Sequence, residues 1–203
     1  MWASAELSGL ILAGGQGRRM QQAGCRTKEK GLLVLADRPL VAWVANAFPA
    51  SINSIYISAN RCEAKYRNYG QVVKDAPDLP HTAGPLAGLA SAARVITSPW
   101  VFVLPVDMPF VPASLLDTFQ QAVGALDTAC VYAQTDRSHP LCMLVRRELL
   151  LALPDYLHRG MRRVMDWQQQ VGQAVVIEKA GLEFLNINTP AMLQRAQSAL
   201  MKG

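Results

Sequence analysis

Apolar residues along this chain fall in short runs that alternate with stretches of helical spacing. The runs are "LSGLILA" (7–13), "SIYIS" (54–58), "QVV" (71–73), "WVFVLPV" (100–106), "TACVYA" (128–133) and "AVVIE" (174–178). Rich in β-branched residues and bounded by turn residues, they predict strands. Between them "LVAWVANAF" (40–48), "PLAGLASAARVI" (85–96), "ASLLDTFQQAV" (113–123) and "TPAMLQRAQSAL" (189–200) predict helices. Alternating strands and helices imply parallel βαβ units, and strands apolar on both faces imply helices covering both sides of the sheet. At 203 residues and 51% apolar content the chain can bury a full core. No repeat, linker or low-complexity tract divides it. The expectation is a single α/β domain over 1–203, three layers (α/β/α) with a mostly parallel, Rossmann-like sheet.

In such sheets ligands sit beyond the carboxyl ends of the strands, near a switch in strand order. Residues that directly follow strands are therefore the candidates. After the first run comes "LAGGQGRRM" (12–20), with Gly14, Gly15 and Gly17 followed by Arg18 and Arg19. Glycines let backbone N–H groups approach a phosphate, and arginines meet its oxygens. A tight strand-to-helix turn with two solvated arginines fits the same residues. Neither standard phosphate loop is present: Met20 stands where a dinucleotide fingerprint needs its third glycine, and no G-x-x-x-x-G-K-[ST] octet exists.

Charge sharpens this reading. The net charge is +5, and between Arg18 and Lys30 five basic residues (Arg18, Arg19, Arg26, Lys28, Lys30) face one acid, Glu29. A focused anion site fits that concentration. A nucleic-acid binder would spread its cations along a face with interleaved aromatics, and aromatics here are scattered at 7%. Cys25, Cys62, Cys130 and Cys142 show no metal-ligand spacing and read as idle thiols of a reducing compartment. "MWASAELSG" lacks the basic start and apolar core of a secretion signal. The longest uncharged run, 39–60, carries Asn46, Pro49, Ser51, Asn53 and Ser54, which argues against a membrane span. A soluble cytoplasmic protein is expected, with no nucleic-acid or membrane partner.

"LAGGQGRRM" followed by "KGLLVLADRPL" (30–40) resembles the signature of nucleotidyltransferases that activate small phosphorylated compounds, and within them the MobA family of molybdenum cofactor guanylyltransferases. The similarity continues in order through "SANR" (58–61), "VVKD" (72–75), "GPLAGL" (84–89), "LPVDMPF" (104–110), "SHP" (138–140), "RRVM" (162–165) and "LNINTP" (185–190). The resemblance implies transfer of GMP from Mg-GTP to molybdenum-bound molybdopterin, with pyrophosphate leaving. A cytidylyltransferase for the same pterin, or a sugar-phosphate nucleotidyltransferase, is the alternative within the class. A non-catalytic nucleotide carrier is the alternative outside it.

On that resemblance the backbone of Leu12, Ala13 and Gly14 holds base and ribose, with Gly15 and Gly17 completing the nucleotide loop. Lys30 contacts the triphosphate, assisted by Arg19, and Asp107 holds Mg²⁺. Bottom-up, Asp107 ends the most strand-like run; a buried strand-end carboxylate is costly unless paired or on a cation, though a turn or N-cap role also fits. Asp75 is the base-side acid and Ser58 its neighbour, standing where the family usually has asparagine. Gly84 and Pro85 open a helix whose free N–H groups favour an anion or a base edge. Arg162, Arg163, Asn186 and Asn188 fall on the pterin side, with Thr189 placed to cap the last helix. His139 precedes Pro140 in a hairpin, without a catalytic role. The 21–29 stretch is longer than the family's and carries Glu29–Lys30 where an Asp–Lys pair is usual. A monomer is expected, receiving its pterin from molybdopterin-handling proteins and passing product to those that mature molybdoenzymes.

Overall fold

Leu7–Leu12 (β1) lies at the centre of the computed structural model, which describes residues 4–14, 29–80 and 83–201. Around it run Ile55–Ser58 (β4), Gln71–Val73 (β5), Trp100–Pro105 (β6), Cys130–Gln134 (β7), Ser138–Arg146 (β8) and Gln173–Val176 (β9), in the order β5-β4-β1-β6-β8-β7-β9. Every neighbour pair is parallel except those made by β8, which runs against both β6 and β7. A separate two-stranded ribbon joins Val34–Leu35 (β2) and Arg38–Pro39 (β3). This is the expected mostly parallel α/β sheet.

Both central strands are buried along their whole length, so alternate residues feed two cores. Ile11, Ile57, Phe102 and Leu104 pack on one face under helices Leu40–Ala45 (α1) and Leu115–Leu126 (α4), where Phe48, Phe102 and Phe119 meet edge to face. Leu10, Leu12, Val101 and Val103 pack on the other under Pro85–Val95 (α3), Arg147–Leu151 (α5) and Leu153–His158 (α6). A third, smaller cluster seats the last helix, Pro190–Leu200 (α8), on Leu33, Leu35 and Leu40 through Ile187 and Ala196. Thr189 caps α8, its Oγ1 accepting from Met192 N at 3.3 Å.

Three departures from the sequence reading stand out. Strand β8 was visible only as the "SHP" hairpin, because Leu141, Cys142, Met143 and Leu144 are not β-branched; pairing on both edges forces the strand. Helices Glu63–Tyr66 (α2), α5, α6 and Val164–Val171 (α7) are too short for their spacing to register. The helix expected over 40–48 stops at Ala45, so the uncharged run 39–60 divides into a helix, turns and β4. Among the described residues no helix is long and apolar enough to cross a membrane.

Candidate active site

The carboxyl ends of β5, β4, β1 and β6 lie side by side, with Val73 beside Ser58, Ser58 beside Leu12, and Leu12 beside Pro105. Hydrogen bonds extend the ladder past the strand ends: Ala13 N donates to Ser58 O at 2.9 Å, Ala59 N to Val73 O at 3.0 Å and Val106 N to Leu12 O at 3.0 Å. The residues that follow line one cleft of about 480 Å³, namely Leu12, Gly14, Lys30, Ser58, Asn60, Asp75, Gly84, Pro85, Gly88 and Asp107, with Pro105, Val106 and Leu141. Strand order reverses at β1, with β4 on one side and β6 on the other, and such a crevice is where open α/β sheets hold ligands. Ala13 is buried beneath the cleft.

One end of the cleft suits a nucleobase. Ser58, 5% exposed, lies against Gly88 of α3; a Cβ there would overlap Ser58 Oγ and come within 3.2 Å of Ser58 Cβ. Gly84 precedes α3 with φ +57°, a conformation glycine reaches without strain, and Pro85 occupies the first helical turn. Asn60 holds Asp75 by two bonds, its amide donating to Asp75 Oδ2 at 2.7 Å and its Oδ1 accepting from Asp75 N at 2.8 Å.

The other end is ionic. Lys30 opens the short 3-10 turn Lys30–Leu32 and is 8% exposed. Its Nζ donates to Asp107 Oδ2 and to Asn188 Oδ1. An ammonium has three donors, so two aim the group and the third remains for a ligand oxygen. Asp107 sits in the turn after β6, where Met108 N returns to Pro105 O at 3.3 Å, and its carbonyl accepts from Ile187 N at 2.8 Å. That bond, with Ile187 in the small core, brings "LNINTP" to the site. Asp107 Oδ1 is buried and has no hydrogen-bond partner among the described residues.

Behind Asp107 lies a second cleft of about 280 Å³, lined by Pro105, Asp107, Met108, Arg137, Ser138, His139, Pro140, Leu141 and Asn186. Ser138 Oγ and Asn186 Oδ1 are also buried without hydrogen-bond partners among the described residues. His139 stacks on Phe184 with ring centroids 4.9 Å apart, and Thr135 Oγ1 lies 2.8 Å from its Nε2. Burial, with Arg137 nearby, holds the His139 pKa below the usual histidine value, so the ring is neutral near pH 7.

Residues 9–172 match the MobA-like NTP transferase domain family. The chain belongs to that family. It is a nucleotidyltransferase by that membership. It is 33% identical over 186 residues to a molybdenum cofactor guanylyltransferase of Serratia proteamaculans, covering 91% of this chain and 90% of that one. A protein of the same name from Haemophilus influenzae is 34% identical over 185 residues, covering 90% and 93%. A solved structure from Archaeoglobus fulgidus, molybdopterin-guanine dinucleotide biosynthesis protein A, superposes with a TM-score of 0.77 at 22% identity, covering 97% of this chain and all of that one. At that identity it speaks for the fold.

Of the residues expected at a site, Leu12, Gly14, Lys30, Ser58, Asp75, Gly84, Pro85 and Asp107 meet in the first cleft, and Asn188 reaches it through Lys30. Asn186 lines the second cleft. Gly15, Gly17 and Arg19 lie outside the described residues, as does Lys28. Arg162 and Arg163 directly precede α7, and neither is among the lining residues of these two clefts. Arg162 Nη1 donates to the carbonyls of Leu157 at 2.5 Å and Met161 at 2.7 Å. Asn60, Gly88 and Ser138 are lining residues that stand in the motifs "SANR", "GPLAGL" and "SHP" without a role assigned to them, and Leu141, on strand β8, lies outside every motif.

Proposed function

We propose that the chain transfers GMP from GTP to molybdenum-bound molybdopterin, producing the guanine dinucleotide form of the cofactor and pyrophosphate. The observation that carries this reading is the pair of clefts sharing Asp107, with Lys30 bonded to that carboxylate. The names of the bacterial relatives support the choice of substrates. The acceptor's terminal phosphate oxygen attacks the α-phosphorus of GTP; one P–O bond forms, the α–β bridging bond breaks, and pyrophosphate leaves with that electron pair. The attacking oxygen is already ionised, so no general base is required. What opposes the reaction is like charge, which fixed cations offset.

The base end supports guanine: a carboxylate at Asp75, fixed by Asn60, accepts from donors such as guanine N1–H and the exocyclic amine. Ser58 offers one hydroxyl beside it. Lys30, held by two acceptors, presents its remaining donor to the phosphates. The residues fit a divalent cation, since the buried Asp107 Oδ1 is a ligand oxygen that no described residue satisfies. Asp107 would hold it, and the cation would supply charge compensation for the phosphates. In the second cleft Ser138, Asn186 and Arg137 offer polar groups to the acceptor, and the neutral His139 ring, held by its stack on buried Phe184, gives it a flat wall.

Purified protein incubated with GTP, Mg²⁺ and the molybdenum-bound pterin should release pyrophosphate only when all three are present. CTP should turn over at least tenfold more slowly. Absence of GTP-dependent release would remove the reading, and preference for CTP would reassign the base.

A further inference from the structure

Lys30 follows a second charged residue that is buried more deeply: Glu29, 5% exposed. Successive side chains diverge, Lys30 into the cleft and Glu29 toward Arg61, whose Nε lies 2.6 Å from Glu29 Oε1. The Glu29 side chain is 7% exposed and that of Arg61 48%, and neither is among the lining residues of the two clefts described above. A carboxylate this buried is not placed for solvation; its partner is what makes the position tolerable.

We infer that the Glu29–Arg61 ion pair is the positioning device for Lys30. This inference rests on the reading that Lys30 grips the triphosphate. Glu29 caps the turn that carries Lys30, with Leu32 N donating to Glu29 O at 3.1 Å. The next residue, Gly31, is seated so tightly that a Cβ would lie 2.7 Å from the Tyr66 hydroxyl and 2.8 Å from Val106 Cγ2. Burial first, and the Glu29 carboxylate second, push the Tyr66 pKa up, so a neutral phenol backs this turn.

The other partner is equally fixed. Arg61 belongs to the loop after β4, which is tied down by Ala59 N to Val73 O and by the two bonds between Asn60 and Asp75. Consecutive residues thus serve both ends of the cleft: Asn60 sets the carboxylate at the base end, and Arg61 sets the lysine at the phosphate end through Glu29. The distance between the two grips is defined by one short loop.

The test uses the full-length enzyme and the variants Arg61→Ala, Arg61→Lys, Glu29→Gln and the double Glu29→Gln/Arg61→Ala. Calorimetry measures affinity for inorganic tripolyphosphate, and steady-state pyrophosphate release measures kcat and KM for GTP. Arg61→Ala leaves the Glu29 carboxylate buried without its partner, so it should fold with a melting temperature lowered by several degrees, and the double variant, which also removes that charge, should regain part of the loss. Arg61→Ala should weaken tripolyphosphate binding and lower kcat/KM for GTP by about tenfold, or roughly 1.4 kcal/mol. Arg61→Lys should recover part of the loss, and the double variant should be no worse than the poorer single one. The inference is overturned if Arg61→Ala and Glu29→Gln both bind tripolyphosphate within a factor of two of the parent. Independent, multiplying losses in the double variant overturn it too. A parent that binds tripolyphosphate but transfers no GMP refutes the proposed function alone, and the variants' tripolyphosphate affinities still decide the role of the ion pair.

Discussion

Replacing Lys30 by methionine keeps an unbranched side chain one atom shorter and removes its charge. The ammonium is mostly buried, with side-chain exposures of 10% for Lys30 and 16% for Asp107. A unit charge facing a phosphate oxygen at about 4 Å is worth about 4 kcal/mol at an effective dielectric near 20, before desolvation is subtracted. At 1.36 kcal/mol per decade, and allowing for that subtraction, kcat/KM for GTP should fall by about 10²–10³. A second effect has the same origin. Without Lys30 both Asp107 oxygens lack a partner among the described residues, so the ligand-free protein should lose about 1–3 kcal/mol of stability. For a chain of this size that is a fall of several degrees in Tm. Pyrophosphate release across a range of GTP concentrations, with a thermal melt of each preparation, measures both. Lys28→Ala, in the stretch outside the described residues, should cost far less. If Lys30→Met folds and turns over GTP within threefold of the parent, or if Lys28→Ala is the more damaging change, Lys30 is not the triphosphate lysine.

Three other perturbations probe different parts of the site. Asp107→Asn should abolish turnover by at least about 10³-fold while the protein stays folded, since an amide cannot replace the charge that a divalent cation selects; retained Mg²⁺-dependent activity would reject that role. Gly88→Ala introduces a Cβ against Ser58, so it should cost about 1–3 kcal/mol in urea unfolding and raise KM for GTP. His139 sets a pH dependence. Its folded pKa is depressed by burial, so the unfolded chain takes up the proton first; the contribution is complete above about pH 6.5 and is lost as pH falls toward the folded value. Urea titrations at pH 7.5 and 5.5 should show a larger acid loss for the parent than for His139→Leu, and equal losses would place the histidine in water.

How much of this was legible in the sequence depends on where each residue sits. The central strands announce themselves because burial on two faces demands continuous apolar runs, and "LSGLIL" and "WVFVLP" have them. The residues that follow them, Gly14 and Asp107, could be nominated from position alone. Strand β8 hid because its apolar residues suit a helix equally well, and only its neighbours on both edges decide otherwise. With it went Leu141 and a role for Ser138. Lys30 meeting Asn188 across 158 positions of sequence was out of reach of spacing, since it depends on Ile187 docking into the small core beneath α8. Glu29 and Arg61 were legible as parts of the Glu29–Lys30 pair and of "SANR", but not as partners; which charge finds which is a property of the folded loops.

The most direct measurement is a crystal structure of the protein with GTP and Mg²⁺ bound. The expected density places the guanine between Ser58, Asp75 and Gly88, the phosphates at Lys30, and the ion on Asp107, leaving the cleft of Ser138 and Asn186 open to the acceptor. Nucleotide bound away from this cleft, or a triphosphate that reaches neither Lys30 nor Asp107, would contradict the two-cleft arrangement from which the proposed reaction follows.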